Sequence, residues 1–163
     1  MTSQKDTHLE NVQGIQSELL ELLDGMDYCL DWKPEPSAWS ARQVVYHLLD
    51  TPPRGFHEVL WGILSGDLAE FELWSDQDYV NPDRLGYDLE QLREDLDEFF
   101  QGMREALETA TEEDFEERSV MVHQRNQGWD EVRTAQSLLE GLFARHWREH
   151  LTQIGELRDA LGM

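Results

Sequence analysis

Leu9, Val12, Gln16, Leu19, Leu23, Met26 and Leu30 recur at alternating steps of three and four, and Ile15, Leu22 and Cys29 widen the same stripe. Such a repeat predicts one long amphipathic helix, ending before residues 31–39. There Pro34 and Pro36 remove two backbone donors and bias their predecessors to extended conformations. Ser40 stands where an N-cap belongs, so a second helix opens there with Val44, His47, Leu48 and Thr51 at helical spacing. Pro52 and Pro53 would clash with the carbonyls of Leu48 and Leu49 in a straight helix. The second helix therefore kinks or stops there and resumes through Phe56, Leu60 and Ile63; the pattern does not choose between the two.

Residues 65–87 are irregular, with Gly66, the turn signal Asn81-Pro82-Asp83 and Gly86, and read as a long connection holding at most a short helical turn. A third helix carries Leu85 or Leu89 into Leu92, Leu96, Phe99, Met103, Ala106 and Ala110, with Asp88 as its cap. In residues 119–129 the run Ser-Val-Met-Val precedes Asn126-Gln127-Gly128, which suits an extended excursion or a hairpin-like loop. A last helix is expected over residues 130–161, placing Leu139, Leu142, His146, His150 and Leu157 in one stripe. The expected fold is all-α, a four-helix bundle formed by a single domain over residues 1–163, with the long connection between helices 2 and 3.

Composition narrows the function classes. An apolar share of 39% with six Trp and six Phe furnishes one substantial core. The 35 acidic against 13 basic residues leave a net charge of -22, spread between apolar positions as solvated helix faces are. That charge repels phosphate, which argues against nucleic acid and anionic membrane surfaces as partners. The polar start MTSQKDTHLENVQG and the lack of any long apolar run lead to the expectation of a cytoplasmic protein. Cys29, the one cysteine, reads as a core thiol and not as a nucleophile. No phosphate-binding loop, dinucleotide fingerprint or Gly-x-Ser-x-Gly turn is present to support nucleotide or serine-hydrolase chemistry.

The histidines carry the candidate chemistry. His146 and His150, four apart in FARHWREHLTQI, project from one helix face. At about 100° per residue, Leu139, Leu142 and Leu157 lie within roughly 40° of His146, so the pair looks inward. His47 shares its face with Val44 and Thr51, behind the aromatic anchor Trp39. Buried imidazoles need partners, and two readings stand level. Either the three hold one divalent ion with an open position, or each is a core residue hydrogen-bonded to a carboxylate. Asp50, three residues after His47, is the first candidate to orient an imidazole or handle a proton, ahead of Gln43, Glu149 and Gln153. His8 falls in a start expected to be flexible, His57 reads as a surface or packing residue, and His123 stands in the irregular segment with a weaker claim on the metal.

Trp39-Ser40, Val44, His47-Leu48 with Asp50, and the later His146-x-x-x-His150 followed by Ile154 and Leu157-Arg158, resemble the DinB/YfiT-like superfamily in order and spacing over nearly the whole chain. The resemblance implies a four-helix bundle with variant up-and-down connectivity. It also implies one divalent ion held by His47, His146 and His150, with zinc or nickel ahead of iron, and a homodimer. Members include enzymes that use a low-molecular-weight thiol, so a thiol cosubstrate is a further expectation. The function it favours is a metal-dependent enzyme acting on a small molecule, by hydrolysis or thiol-dependent transfer. The alternatives are a non-catalytic metal-binding or interaction bundle and, resting on charge alone, a nucleic-acid mimic.

Overall fold

The computed structural model describes residues 3–163. Helix α1 (Gln4–Leu23) begins where the Ser3 side chain accepts the Asp6 amide, and it buries His8, Val12, Ile15, Leu19 and Leu23. The stripe expected to run helically to Leu30 leaves the helix at Leu23. Gly25 takes a φ of 80°, and the amides of Met26, Cys29 and Trp32 each bond the carbonyl three residues back. These turns keep Met26, Cys29 and Leu30 in the core, so a helical spacing is preserved without a continuous helix.

Ser40 caps α2 (Ala41–Asp50) in a capping box with Gln43, which satisfies two backbone amides reciprocally. The open choice at the prolines resolves to a break: α2 stops at Asp50 and α3 (Phe56–Ser65) starts afresh. Between them Arg54 and Gly55 both adopt positive φ.

The connection after α3 carries structure of its own, namely β1 (Glu70–Leu73) and the single-turn α4 (Pro82–Leu85), capped by Asn81. Helix α5 (Leu89–Thr109) follows with a second capping box, Asp88 with Gln91. Beyond α6 (Asp114–Glu117), the suspected hairpin is real: β2 (Ser119–Gln124) pairs antiparallel with β3 (Trp129–Thr134), and β1 joins β2 in parallel. The all-α expectation is thereby corrected to a mostly helical fold with a three-stranded sheet in the order β1-β2-β3. The sheet is fastened to the core by β2, whose Val120, Val122 and Gln124 are buried in the alternation of a strand with one inward face.

The last helix, expected from Asp130, begins only at Ala135 because β3 takes up the preceding residues. It runs as α7 (Ala135–Leu138), a π-helical stretch (Leu139–Arg145) and α8 (His146–Ala160).

Helix α1 packs on α5 and α8, α2 packs on α8, and α3 packs on α5. A bundle wound in simple sequence order would pair α1 chiefly with α2, so the connectivity is a variant one. Its centre is aromatic. Trp147 of α8 stacks on Phe99 of α5 at 4.5 Å between ring centroids, Phe100 meets it edge-on, and Phe143 links it to Phe56 of α3. Rings of this size each bury roughly 150–250 Å². With Trp147 fully buried, the rotation of α8 is set, and the residues beside it, His146 and His150, face α2.

Candidate metal centre

His47 is delivered by α2, two turns beyond the Ser40 cap, and is only 1% exposed. The Trp39 ring, one residue ahead of that cap, lies against its imidazole at 4.9 Å between centroids. His146 opens α8 where the π-helical stretch ends, and His150 follows one turn later. The three rings form a nearly equilateral group, with centroid separations of 5.1, 4.8 and 4.8 Å. One ligand nitrogen from each lies within 4.8 Å of the others, and among the described residues no carboxylate or thiol joins the group.

The hydrogen bonds assign the ring nitrogens. Nδ1 of His47 is 2.7 Å from the Gln77 carbonyl oxygen, which can only accept, so Nδ1 carries the proton and Nε2 is a bare lone pair. The Thr51 hydroxyl stands 3.3 Å from the same Nδ1. Nδ1 of His150 donates to Oε1 of Gln153 at 2.7 Å, leaving its Nε2 free. Nε2 of His146 lies 3.1 Å from Nε2 of His47.

If His146 donated that contact as a hydrogen bond, its Nδ1 would be an unprotonated acceptor. That atom is buried without a partner of ordinary geometry, and the group nearest to bonding it is the Leu142 carbonyl, another acceptor. With the proton on Nδ1 instead, all three Nε2 lone pairs converge. Two nitrogens each about 2.0–2.1 Å from a tetrahedral zinc stand roughly 3.3 Å apart, close to the 3.1 Å between His47 and His146. The donor set therefore fits a divalent ion, and the outer nitrogens of His47 and His150 are arranged as those of metal-bound histidines usually are, on carbonyl-type acceptors. Among the described residues, no carboxylate is hydrogen-bonded to any of the three rings.

Electrostatics favour the neutral ligands a metal needs. Burial, reinforced by the neighbouring His150 and His47, holds His146 down to about 3. Burial also lowers His47, against the opposing pull of the Gln77 bond and of Asp78 and Asp76.

The other candidates distribute differently. Asp50 does not reach an imidazole; its carboxylate binds Arg84 Nη1 at 2.5 Å. Gln43 is spent on the capping box and on Asp78, to which its amide donates at 2.8 Å. Glu149 is exposed, and of the four flanking residues only Gln153 touches a ring. The orienting carbonyl of Gln77 was not foreseen, since a backbone oxygen has no residue-type signature.

His8 belongs to the ordered α1, 2% exposed, with Nε2 on Gln136 Oε1 at 2.7 Å. His57 packs edge-on against Phe99. His123 sits on β2 with Nδ1 on Asp130 at 2.7 Å. Cys29 is a buried thiol, and burial raises its pKa and so disfavours the thiolate.

Comparison with known proteins agrees with this architecture. A solved structure, "YfiT from Bacillus subtilis is a probable metal-dependent hydrolase with an unusual four-helix bundle topology", superposes with a TM-score of 0.72 at 22% identity, covering 97% of this chain and 87% of that one. At that identity the likeness establishes the shared fold. No curated protein sequence matches. The family model described as the DinB superfamily matches residues 9–154, so the chain belongs to the DinB superfamily.

Proposed function

We propose that this protein is a mononuclear metal-dependent enzyme acting on a small molecule, with His47, His146 and His150 as the ligands. The observation that carries the reading is the convergence of the three imidazoles, with the outer nitrogens of His47 and His150 turned away onto Gln77 and Gln153. Three neutral ligands with no fourth His, Cys or carboxylate in the group favour a catalytic over a closed structural site. The YfiT description points the same way for its own protein.

A divalent ion bound here supplies Lewis-acid activation of water or of a thiol cosubstrate at neutral pH. The chain's own groups do the rest. The Gln77 carbonyl and the Gln153 amide hold the His47 and His150 rings in the ligating tautomer, while Trp39 covers His47 and keeps water from its flank. His146 and His150 are half-buried, which leaves the group open on their side. Zinc and nickel suit this imidazole set first, and hydrolysis is the first reaction to test, followed by thiol transfer.

Elemental analysis of purified protein should find about one divalent ion per chain. Each of His47→Ala, His146→Ala and His150→Ala should weaken binding strongly. Full occupancy retained by the His146→Ala/His150→Ala double variant would defeat the ligand assignment. The loaded protein should turn over electrophilic small molecules, with or without low-molecular-weight thiols, at rates absent from the triple-His variant. No excess over that variant across such a screen would turn the reading to a non-catalytic bundle.

A further inference from the structure

The segment carrying Gln77 is fastened to α2 at several points. Gln43 Nε2 donates to Asp78 Oδ2 at 2.8 Å. Arg84 Nη1 donates both to Asp50 Oδ2 at 2.5 Å and to the Tyr79 carbonyl at 3.0 Å. Arg42, also on α2, donates to the carbonyls of Arg84 and Tyr87 at 2.7 and 2.6 Å and pairs with Asp31. The Arg84 guanidinium lies over the Tyr46 ring at 4.5 Å, and the Tyr46 hydroxyl donates to Asp95. Arg84 and Asp50 have side chains only 22% and 24% exposed, so water screens their pair weakly.

These bonds close a ring: from His47 along α2 to Asp50, across to Arg84, on to the Tyr79 carbonyl, back two residues to the Gln77 carbonyl, and from there to Nδ1 of His47. Tyr79 shows that the ring constrains the chain. It adopts a φ of 59°, in a region that bulky side chains rarely occupy, and its phenol oxygen is buried with no partner. Both are local costs, and they fall on the residue whose carbonyl Arg84 holds.

We propose that Arg84, bonded at once to the Asp50 carboxylate and the Tyr79 carbonyl, is a positioning residue for the metal centre, locking the Gln77 carbonyl onto Nδ1 of His47 so that Nε2 faces the ion. This rests on the metal reading above. It gives Asp50 a role one step removed from the imidazole and identifies Arg84, which no spacing in the sequence singles out.

Zinc affinity should be measured by competition with a chromophoric chelator in wild type, Arg84→Ala, Arg84→Lys, Asp50→Asn and the Arg84→Ala/Asp50→Asn double variant. Imidazole ¹⁵N shifts of His47 should be recorded alongside, on metal-free protein near neutral pH. Arg84→Ala and Asp50→Asn should each weaken zinc by about 10- to 100-fold, as loss of support behind a ligand does. The double variant should be little worse than either, and Arg84→Lys, whose ammonium can span both acceptors, should recover part of the loss. His47 should be Nδ1-protonated in wild type and a tautomer mixture in Arg84→Ala. A merely structural Arg84 would lower the melting temperature while leaving the tautomer and the affinity of the folded protein unchanged, and that result overturns the proposal. If Arg84→Ala does not fold, unchanged affinity and tautomer in both Asp50→Asn and Arg84→Lys overturn it equally. A wild type with no zinc affinity defeats the metal reading, and the proposal with it.

Discussion

His8 and His146 are both interior imidazoles, and the difference between them lies in their neighbours. His8 has Gln136 on Nε2 and the Phe115 ring 5.1 Å away, with no second histidine in reach. His146 has two more imidazoles and nothing of ordinary geometry on its outer nitrogen. Burial holds both below the usual histidine value, and it does the same to His47 and His57. A lowered folded-state value means that the unfolded chain takes up protons first as pH falls below about 6.5. The associated stability is therefore complete above that pH and is lost progressively on acidification toward the folded values. For His8, the Gln136 hydrogen bond, and after it Glu140 and Glu112, oppose the effect of burial without cancelling it. The melting temperature of metal-free protein should fall between pH 7 and pH 5, and His8→Gln should flatten the decline. A melting temperature constant over that range would contradict the burial argument.

Within elements, the π-helical stretch Leu139–Arg145 sits immediately before His146. Wide turns of this type occur mostly as single-turn bulges, often at functional sites. Leu139, Phe143, Trp147 and Leu151 are all buried at steps of four. In a straight α-helix each such step drifts by about 40°, and a wider turn takes up that drift. The stretch thereby lets α7 keep its core contacts while α8 presents Trp147 to the aromatic centre and His146 to α2. Inserting one alanine after Leu138, ahead of the stretch, should rotate α8 by about 100° relative to α7. Zinc affinity should then fall more than about tenfold, or stability should fall by the few kcal/mol typical of a lost large core side chain. An insertion variant that melts and binds zinc like wild type would show that this register does not fix the rotation of α8.

At the scale of the molecule, the charge of -22 meets few compensating contacts: ion pairs such as Arg125–Glu72 and Arg118–Asp114 lie at the surface, where each is worth little. Self-repulsion should therefore be relieved by screening, and moderate salt should raise the melting temperature. A curve indifferent to salt from low to physiological ionic strength would show that the carboxylates are already well separated. No described helix is long and apolar enough to cross a membrane, and the buried apolar residues from Val12 to Leu157 form one cluster.

The amino-acid sequence by itself determined what depends on neighbours within a turn or two. It specified the buried stripes of α1 and α5, the caps at Ser40 and Asp88, and the placing of His146 and His150 on one face. Each of these follows from side-chain spacing or from a hydrogen bond reaching three residues. The sheet needed more, since β1 finds its parallel partner about fifty residues away, with Glu70 opposite Met121, and no local pattern encodes a remote edge. The early end of α1 escaped because successive turns through Met26 and Cys29 repeat a helical spacing. Gln153, three residues from His150 on the same helix, is legible as its partner, but the support behind His47 is not. Gln77 acts through a backbone oxygen that every residue possesses, and Arg84 through bonds to a carboxylate and a carbonyl that only the closed loop brings together. Side-chain types and their periods are written locally in the chain, but the direction in which a ring nitrogen points is decided by the acceptor that folding sets beside it.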